Sequence, residues 1–236
     1  MSARTRRTAF ARGSGRFLSR TVISSLLRTT QVARRTQFEV LGPARGHLVM
    51  LGDSITEGGN WDEWFPDSRV VNRGIGGELS GQVLARLHTA IDRPRAVFLL
   101  IGTNDLAFDI PQQEIAHNVE SILATIERTA PGTPVVVQSV MPRALAFRDE
   151  ILALNQRYRD VVAAAPEHVR YLDLWPALAT PEGALRPELT EDKLHLNGSG
   201  YVEWVEALRP IVTELGGTAG SDDPPLTRPR ASGNVL

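Results

Sequence analysis

The chain has 236 residues, 42% of them hydrophobic and 22% charged, enough to bury a core without covalent staples, as one large domain or two small ones. It contains no cysteine, which excludes disulfide frameworks, thiolate nucleophiles and zinc–thiolate sites and leaves the redox compartment undecided. The formal net charge of -1 hides a split: nine of the 26 basic residues and no acid fall within residues 1–38, so the remainder carries 17 basic against 27 acidic residues, a net of -10.

Residues 1–40 read as a basic, Arg-rich arm. Such an arm joined to an acidic body hints at an anionic partner. The plainer expectation is a solvated extension, or one lying on the acidic body in cis. A partly helical, amphipathic pattern runs through Phe17, Leu18, Val22 and Leu26. The run TVISSLL at 21–27 is far short of the roughly 18 apolar residues of a membrane span. It also makes a poor secretory core between Arg20 and Arg28, so a cytoplasmic location is the default expectation.

From residue 46 onward, short apolar runs alternate with helix-period segments. HLVMLG (47–52), RVVNRG (69–74), AVFLLIG (96–102), PVVVQSVM (134–141) and VRYLDLW (169–175) read as five strands. Most of them are near-continuously hydrophobic, which suits strands buried on both faces of a parallel sheet. Helices are expected over 80–91, 111–130, about 148–164 and 198–216, the second opening at Pro111. This alternation predicts a three-layer α/β/α sandwich around a five-stranded, mainly parallel sheet, with the domain spanning 41–216. Residues 217–236 are rich in Gly, Pro, Ser and Asp and are expected to be disordered.

In open parallel sheets ligands bind beyond the carboxyl ends of the strands. Ser54 follows the first strand, Gly76-Gly77 the second, and Gly102-Thr103-Asn104-Asp105 the third, so all fall on one rim. A serine hydroxyl needs a base to become a useful nucleophile. Of the five histidines, 47, 88, 117 and 168 read as surface or packing residues. His195 lies in a loop before the last helix, with Asp192 three residues earlier, close enough to orient the ring and stabilise an imidazolium. Alone, Asp-x-x-His is a common chance spacing, Asn104 could be an Asx turn and Gly76-Gly77 a plain loop. Acyl transfer, however, also needs oxyanion donors, and the Ser54 and Gly77 amides with the Asn104 side chain could supply them. All of these together are much harder to attribute to chance.

The blocks Gly52-Asp53-Ser54, NRGIGGELS, GTND (102–105) and DKLH (192–195) resemble, in order and spacing, the SGNH or GDSL hydrolase superfamily. The similarity runs from about residue 46 to 215, includes QSVMPR (138–143) and LHLNGSGY (194–201), and in its wider wording resembles the platelet-activating-factor acetylhydrolase-like and lysophospholipase/thioesterase branches. It implies a flavodoxin-like SGNH-hydrolase fold, with Ser54 as nucleophile, His195 as general base and then acid, and Asp192 as its partner. Ser54, Gly77 and Asn104 would form the oxyanion hole. Gly77 is preferred to Gly76 because the family's oxyanion glycine often precedes an acid, here Glu78 in place of the commoner aspartate.

The leading expectation is a serine esterase that forms an acyl-enzyme on short-chain or acetyl esters of carbohydrate, small-molecule or lipid acceptors. No metal, cofactor or nucleic-acid partner is expected. Trp61, Trp64, Phe65, Leu106, Phe108 and Met141 follow rim segments and could line an acyl pocket, and Arg143 could meet an anionic head group. One alternative is a lysophospholipase or thioesterase that uses the basic arm at anionic membranes. A remote one is a catalytically silent binding module. The sequence leaves the oligomeric state open.

Overall fold

A computed structural model describes residues 29–216. The apolar pattern around Phe17 to Leu26 and the expected C-terminal tail lie outside the described residues. The five apolar runs form strands β1 (Leu48–Gly52), β2 (Val70–Gly74), β3 (Ala96–Leu100), β4 (Val135–Gln138) and β5 (Val169–Leu172). They pair in the order β2-β1-β3-β4-β5, and every pairing is parallel.

Successive side chains on a strand point to opposite faces, and the two cores follow that alternation. Val49, Leu51, Val97, Leu99, Val135 and Val137 pack on one face. There they meet α4 (Ser80–Ala85), α6 (Gln112–Thr129) and α7 (Arg148–Ala163). On the other face Leu48, Met50, Phe98, Leu100 and Val136 meet α3 (Trp61–Trp64), α8 (Trp175–Leu178) and α9 (Gly198–Gly216). This is the expected three-layer α/β/α sandwich. α6 buries Ile115, Val119, Ile122 and Ile126 along one stripe at the three-to-four-residue spacing of an amphipathic helix.

The helix expected over 80–91 stops at Ala85 and resumes as a 3-10 turn, Leu87–Thr89. Arg86 stands at the break and turns its guanidinium inward to the buried Glu78. Two short helices sit directly on the rim, α2 (Ser54–Glu57) after β1 and α5 (Thr103–Ala107) after β3.

The end of the basic arm is part of the folded body. Residues 29–41 are helical (α1), and Phe38 is 1% exposed. The Arg34 and Arg73 guanidinium carbons each lie 4.8 Å from the Phe38 ring centroid. Such cation–π contacts anchor a helix whose other large apolar residues, Val32, Val40 and Leu41, face solvent. Among the described residues no helix is long and apolar enough to cross a membrane.

Registry sets the rim. Gly52 pairs with Gly74 on one side and Leu100 on the other, so β1, β2 and β3 end at one level. A Cβ on Gly52 would stand 2.2 Å from the Leu100 carbonyl oxygen and 2.4 Å from Thr56 Oγ1, so only glycine lets α2 turn this tightly over the sheet.

Candidate active site

Ser54 is the first residue of α2, and the turn that presents it is capped from within. Asp53 Oδ1 accepts a hydrogen bond from the Ile55 amide at 3.0 Å, while its Oδ2 has no partner in the protein. Burial pushes the Asp53 carboxyl up to about 7, the Ile55 amide opposing the shift. Asn72, on β2, ties the far end of the turn. Its amide donates to the carbonyls of Thr56, Glu57 and Gly59 at 3.1, 2.9 and 3.0 Å, and its Oδ1 accepts from the Gly74 amide at 2.9 Å.

Across the rim, the loop before α9 brings His195 within hydrogen-bond distance of the serine, Nε2 to Oγ 3.0 Å. The other imidazole nitrogen, Nδ1, lies 2.7 Å from Asp192 Oδ2. Asp192 Oδ1 accepts from the amides of Leu194 (2.9 Å) and His195 (2.7 Å), which the backbone permits because Lys193 turns at φ +64°. Burial acts to raise the Asp192 carboxyl, but the His195 ring and these amides outweigh it and hold it at about 2. A carboxylate that stays ionised fixes the proton on Nδ1, so that Nε2 turns a lone pair to the Ser54 hydroxyl. The other four histidines are engaged elsewhere: His47 with the Arg45 carbonyl, His88 with Glu39, His117 with Glu120 and His168 with Glu127.

Gly77 lies in the loop between β2 and α4 at φ +72°, a conformation that favours glycine. Among the described residues neither its amide nor that of Ser54 has an acceptor in the protein. The Asn104 side chain donates to the Glu78 carbonyl at 3.0 Å, and a primary amide has a second N–H to offer. Its neighbour Asp105 is buried and accepts from both the amide and the hydroxyl of Ser80, which pins the start of α4 to the β3 rim.

The expected pocket residues are placed differently from one another. Trp61 is 1% exposed, stacked edge-on to Trp204 with centroids 4.7 Å apart, its indole N–H donating to the Thr56 carbonyl. Leu106 and Met141 are also in the core, at 5% and 3% exposure. Buried in this way, the three offer a ligand little surface. Phe65 is buried and Phe108 exposed. Arg143 is half-buried over the Phe147 ring, donates to the Thr103 carbonyl, and lies within the influence of the Asp192 and Asp53 charges.

Of three further residues that touch the rim, Glu57 and Gln31 lie in no sequence pattern, and Asn72 opens the NRGIGGELS block without being given a role by it. All three act through polar bonds to backbone, which leave no periodic trace in a sequence. Among the described residues no group of three or more His, Asp or Glu side chains is placed to hold a metal ion. A mainly apolar cavity of about 220 Å³, bounded by Leu123, Ile126, Val135, Val161 and Val169, lies at the opposite end of the sheet from Ser54 and takes no part in this arrangement.

Known proteins resemble this chain in sequence and fold. The model of the GDSL-like Lipase/Acylhydrolase family matches residues 50–202. Human platelet-activating factor acetylhydrolase IB subunit alpha1 is 27% identical over 192 residues, covering 77% of this chain and 82% of its own. A solved structure from Streptococcus pneumonia, whose description names platelet activating factor, superposes with a TM-score of 0.77 at 27% identity, covering 83% of this chain and 98% of that one. The family 3 carbohydrate esterase of Clostridium thermocellum shares the fold, with a TM-score of 0.56 at 19% identity over 74% of this chain and all of its own.

Proposed function

Since the chain belongs to the GDSL-like lipase/acylhydrolase family, within the SGNH/GDSL hydrolases of ester bonds, we propose that it cleaves carboxylic esters by attack of Ser54 through an acyl-enzyme. The observation that carries the proposal is the relay Ser54 Oγ, His195 and Asp192, at 3.0 and 2.7 Å, assembled from residues 141 positions apart in sequence.

Ser54 Oγ attacks the ester carbonyl carbon as His195 Nε2 takes the hydroxyl proton. The carbonyl oxygen becomes an oxyanion, received by the Ser54 and Gly77 amides and the second N–H of Asn104. The ester C–O bond then breaks, and Nε2 gives its proton to the departing alkoxide. Water attacks the acyl-serine by the same route in reverse, releasing the acid and restoring the Ser54 hydroxyl. Asp192 stays ionised throughout and stabilises the imidazolium. Losing one oxyanion donor costs about 10²- to 10³-fold in kcat.

For the acyl group we favour acetyl or another short chain. The packing of Trp61, Leu106 and Met141 into the core supports this, because it leaves little apolar lining for a long chain. The acetylhydrolase relatives point the same way. The membrane alternative gains nothing from the described part of the arm, where Arg34 and Arg35 turn onto Glu57 and Glu78 of the body itself.

Hydrolysis of p-nitrophenyl esters from acetyl to palmitoyl tests the proposal. The expected result is turnover that falls steeply with chain length and drops at least about a thousandfold in Ser54→Ala. Unchanged turnover by the purified, folded variant would refute the assignment of Ser54.

A further inference from the structure

The amide of Gly77 belongs to the same peptide unit as the carbonyl of Gly76. In a trans peptide the two point in opposite directions, so whatever holds the Gly76 oxygen also aims the Gly77 N–H. The holder is a side chain from α1: Gln31, 7% exposed, donates from Nε2 to the Gly76 carbonyl oxygen at 3.0 Å, across 45 residues of sequence.

The loop on either side is fixed by the same helix and its partners. Glu57 Oε2 accepts from the Gly76 amide at 2.8 Å, and Arg34 of α1 pairs with Glu57 at 3.4 Å. On the other side of Gly77, the fully buried Glu78 is gripped by Arg35 of α1 at 2.8 Å and by Arg86 at 2.6 Å. Phe38 seats α1 beneath these residues, and Arg73 donates to the Gly42 carbonyl at the end of the helix. With glycine at both 76 and 77, the intervening peptide has little steric resistance to rotating about its flanking bonds. A flip would present a carbonyl where the oxyanion forms.

We propose that Gln31 is a positioning residue for ester hydrolysis: its amide locks the Gly76–Gly77 peptide with the Gly77 N–H facing the oxyanion. The inference rests on the reading of Gly77 as an oxyanion donor. The same bond polarises the peptide, since a carbonyl that accepts a hydrogen bond makes its own N–H a stronger donor. On this account α1 belongs to the catalytic apparatus, and the arm's last residues serve the chemistry from behind the loop.

The test is steady-state hydrolysis of p-nitrophenyl acetate by the full-length Gln31→Met variant, which keeps the length of the side chain and removes its donor. The expected result is a kcat lowered about ten- to a hundredfold, KM within about threefold of wild type, and a melting temperature within a few degrees of it. Gln31→Glu, which turns an acceptor toward the carbonyl, should be at least as slow. A kcat within twofold of wild type would overturn the proposal. So would parallel losses of stability, KM and kcat in both variants, because they would mark Gln31 as merely structural. Ser54→Ala, assayed alongside, separates the two ideas. If Ser54→Ala is inactive and Gln31→Met is normal, only this inference fails, whereas an active Ser54→Ala removes the hydrolytic reading beneath it.

Discussion

Asp53 precedes the serine and does a different job from the carboxylate across the rim. Asp192 is exposed, accepts three hydrogen bonds from Leu194 and His195, and is held at about 2. Asp53 is 1% exposed, accepts one amide, leaves Oδ2 unpartnered, and is pushed up to about 7. The ordinary value of 3.8 applies to the unfolded chain, so between about pH 4 and 7 the native state holds a proton that the unfolded state has released. Raising the pH through that window therefore favours unfolding, and stability declines until the native carboxyl itself ionises. Asp53→Asn keeps the shape and the cap and removes the titration. Its melting temperature relative to wild type should climb from pH 4 to 7 and then level off, with a ceiling of about 4 kcal/mol for a shift of this size. A difference that is constant across that range would contradict the assignment. The Gly-Asp-Ser block marks this residue in the sequence, yet its charge state depends on burial that only the fold reveals.

The elements of the rim are held together by side chains that bond to backbone. Asn72 joins β2 to the turn that carries Ser54, satisfying the carbonyls of Thr56, Glu57 and Gly59 at once. Asn72→Ala removes the side-chain donor from the Glu57 and Gly59 carbonyls, while Thr56 keeps the Trp61 indole N–H. This should lower stability by about 1–3 kcal/mol in denaturant unfolding and reduce kcat as the serine turn loosens. Wild-type values of both would show that the turn holds itself. The main elements are legible in the amino-acid pattern alone. β1, β3 and β4 stand out as near-continuous apolar runs and α6, α7 and α9 as amphipathic stretches, whereas β2 and β5 are interrupted by Asn72, Arg73 and Arg170. The short helices α2, α3, α5 and α8 are not legible, because four or five residues cannot display a helical period. The continuous helix expected over 80–91 is broken at Arg86 by the demand of the buried Glu78 for a partner.

At the scale of the whole molecule, the charge split in the sequence has a partial structural counterpart. Arg34 and Arg35 lie on the acidic body in cis, paired with Glu57 and Glu78. The order of the motif blocks along the chain is the order in which strand ends reach the rim, which is why the sequence points to a cluster of Ser54, Asn104, Asp192 and His195. It does not point to the contact of α1 with the Gly76–Gly77 peptide, since a glutamine within a basic, polar segment gives no sign of a carbonyl 45 residues away. The central claim is that Ser54 is a nucleophile activated by His195. Its most direct test is to treat the protein with a p-nitrophenyl alkylphosphonate and locate the adduct by mass spectrometry. The account predicts one phosphonyl group per chain, carried on Ser54 and lost in both Ser54→Ala and His195→Ala. An adduct on another residue, or labelling of Ser54 at an undiminished rate without His195, would contradict it.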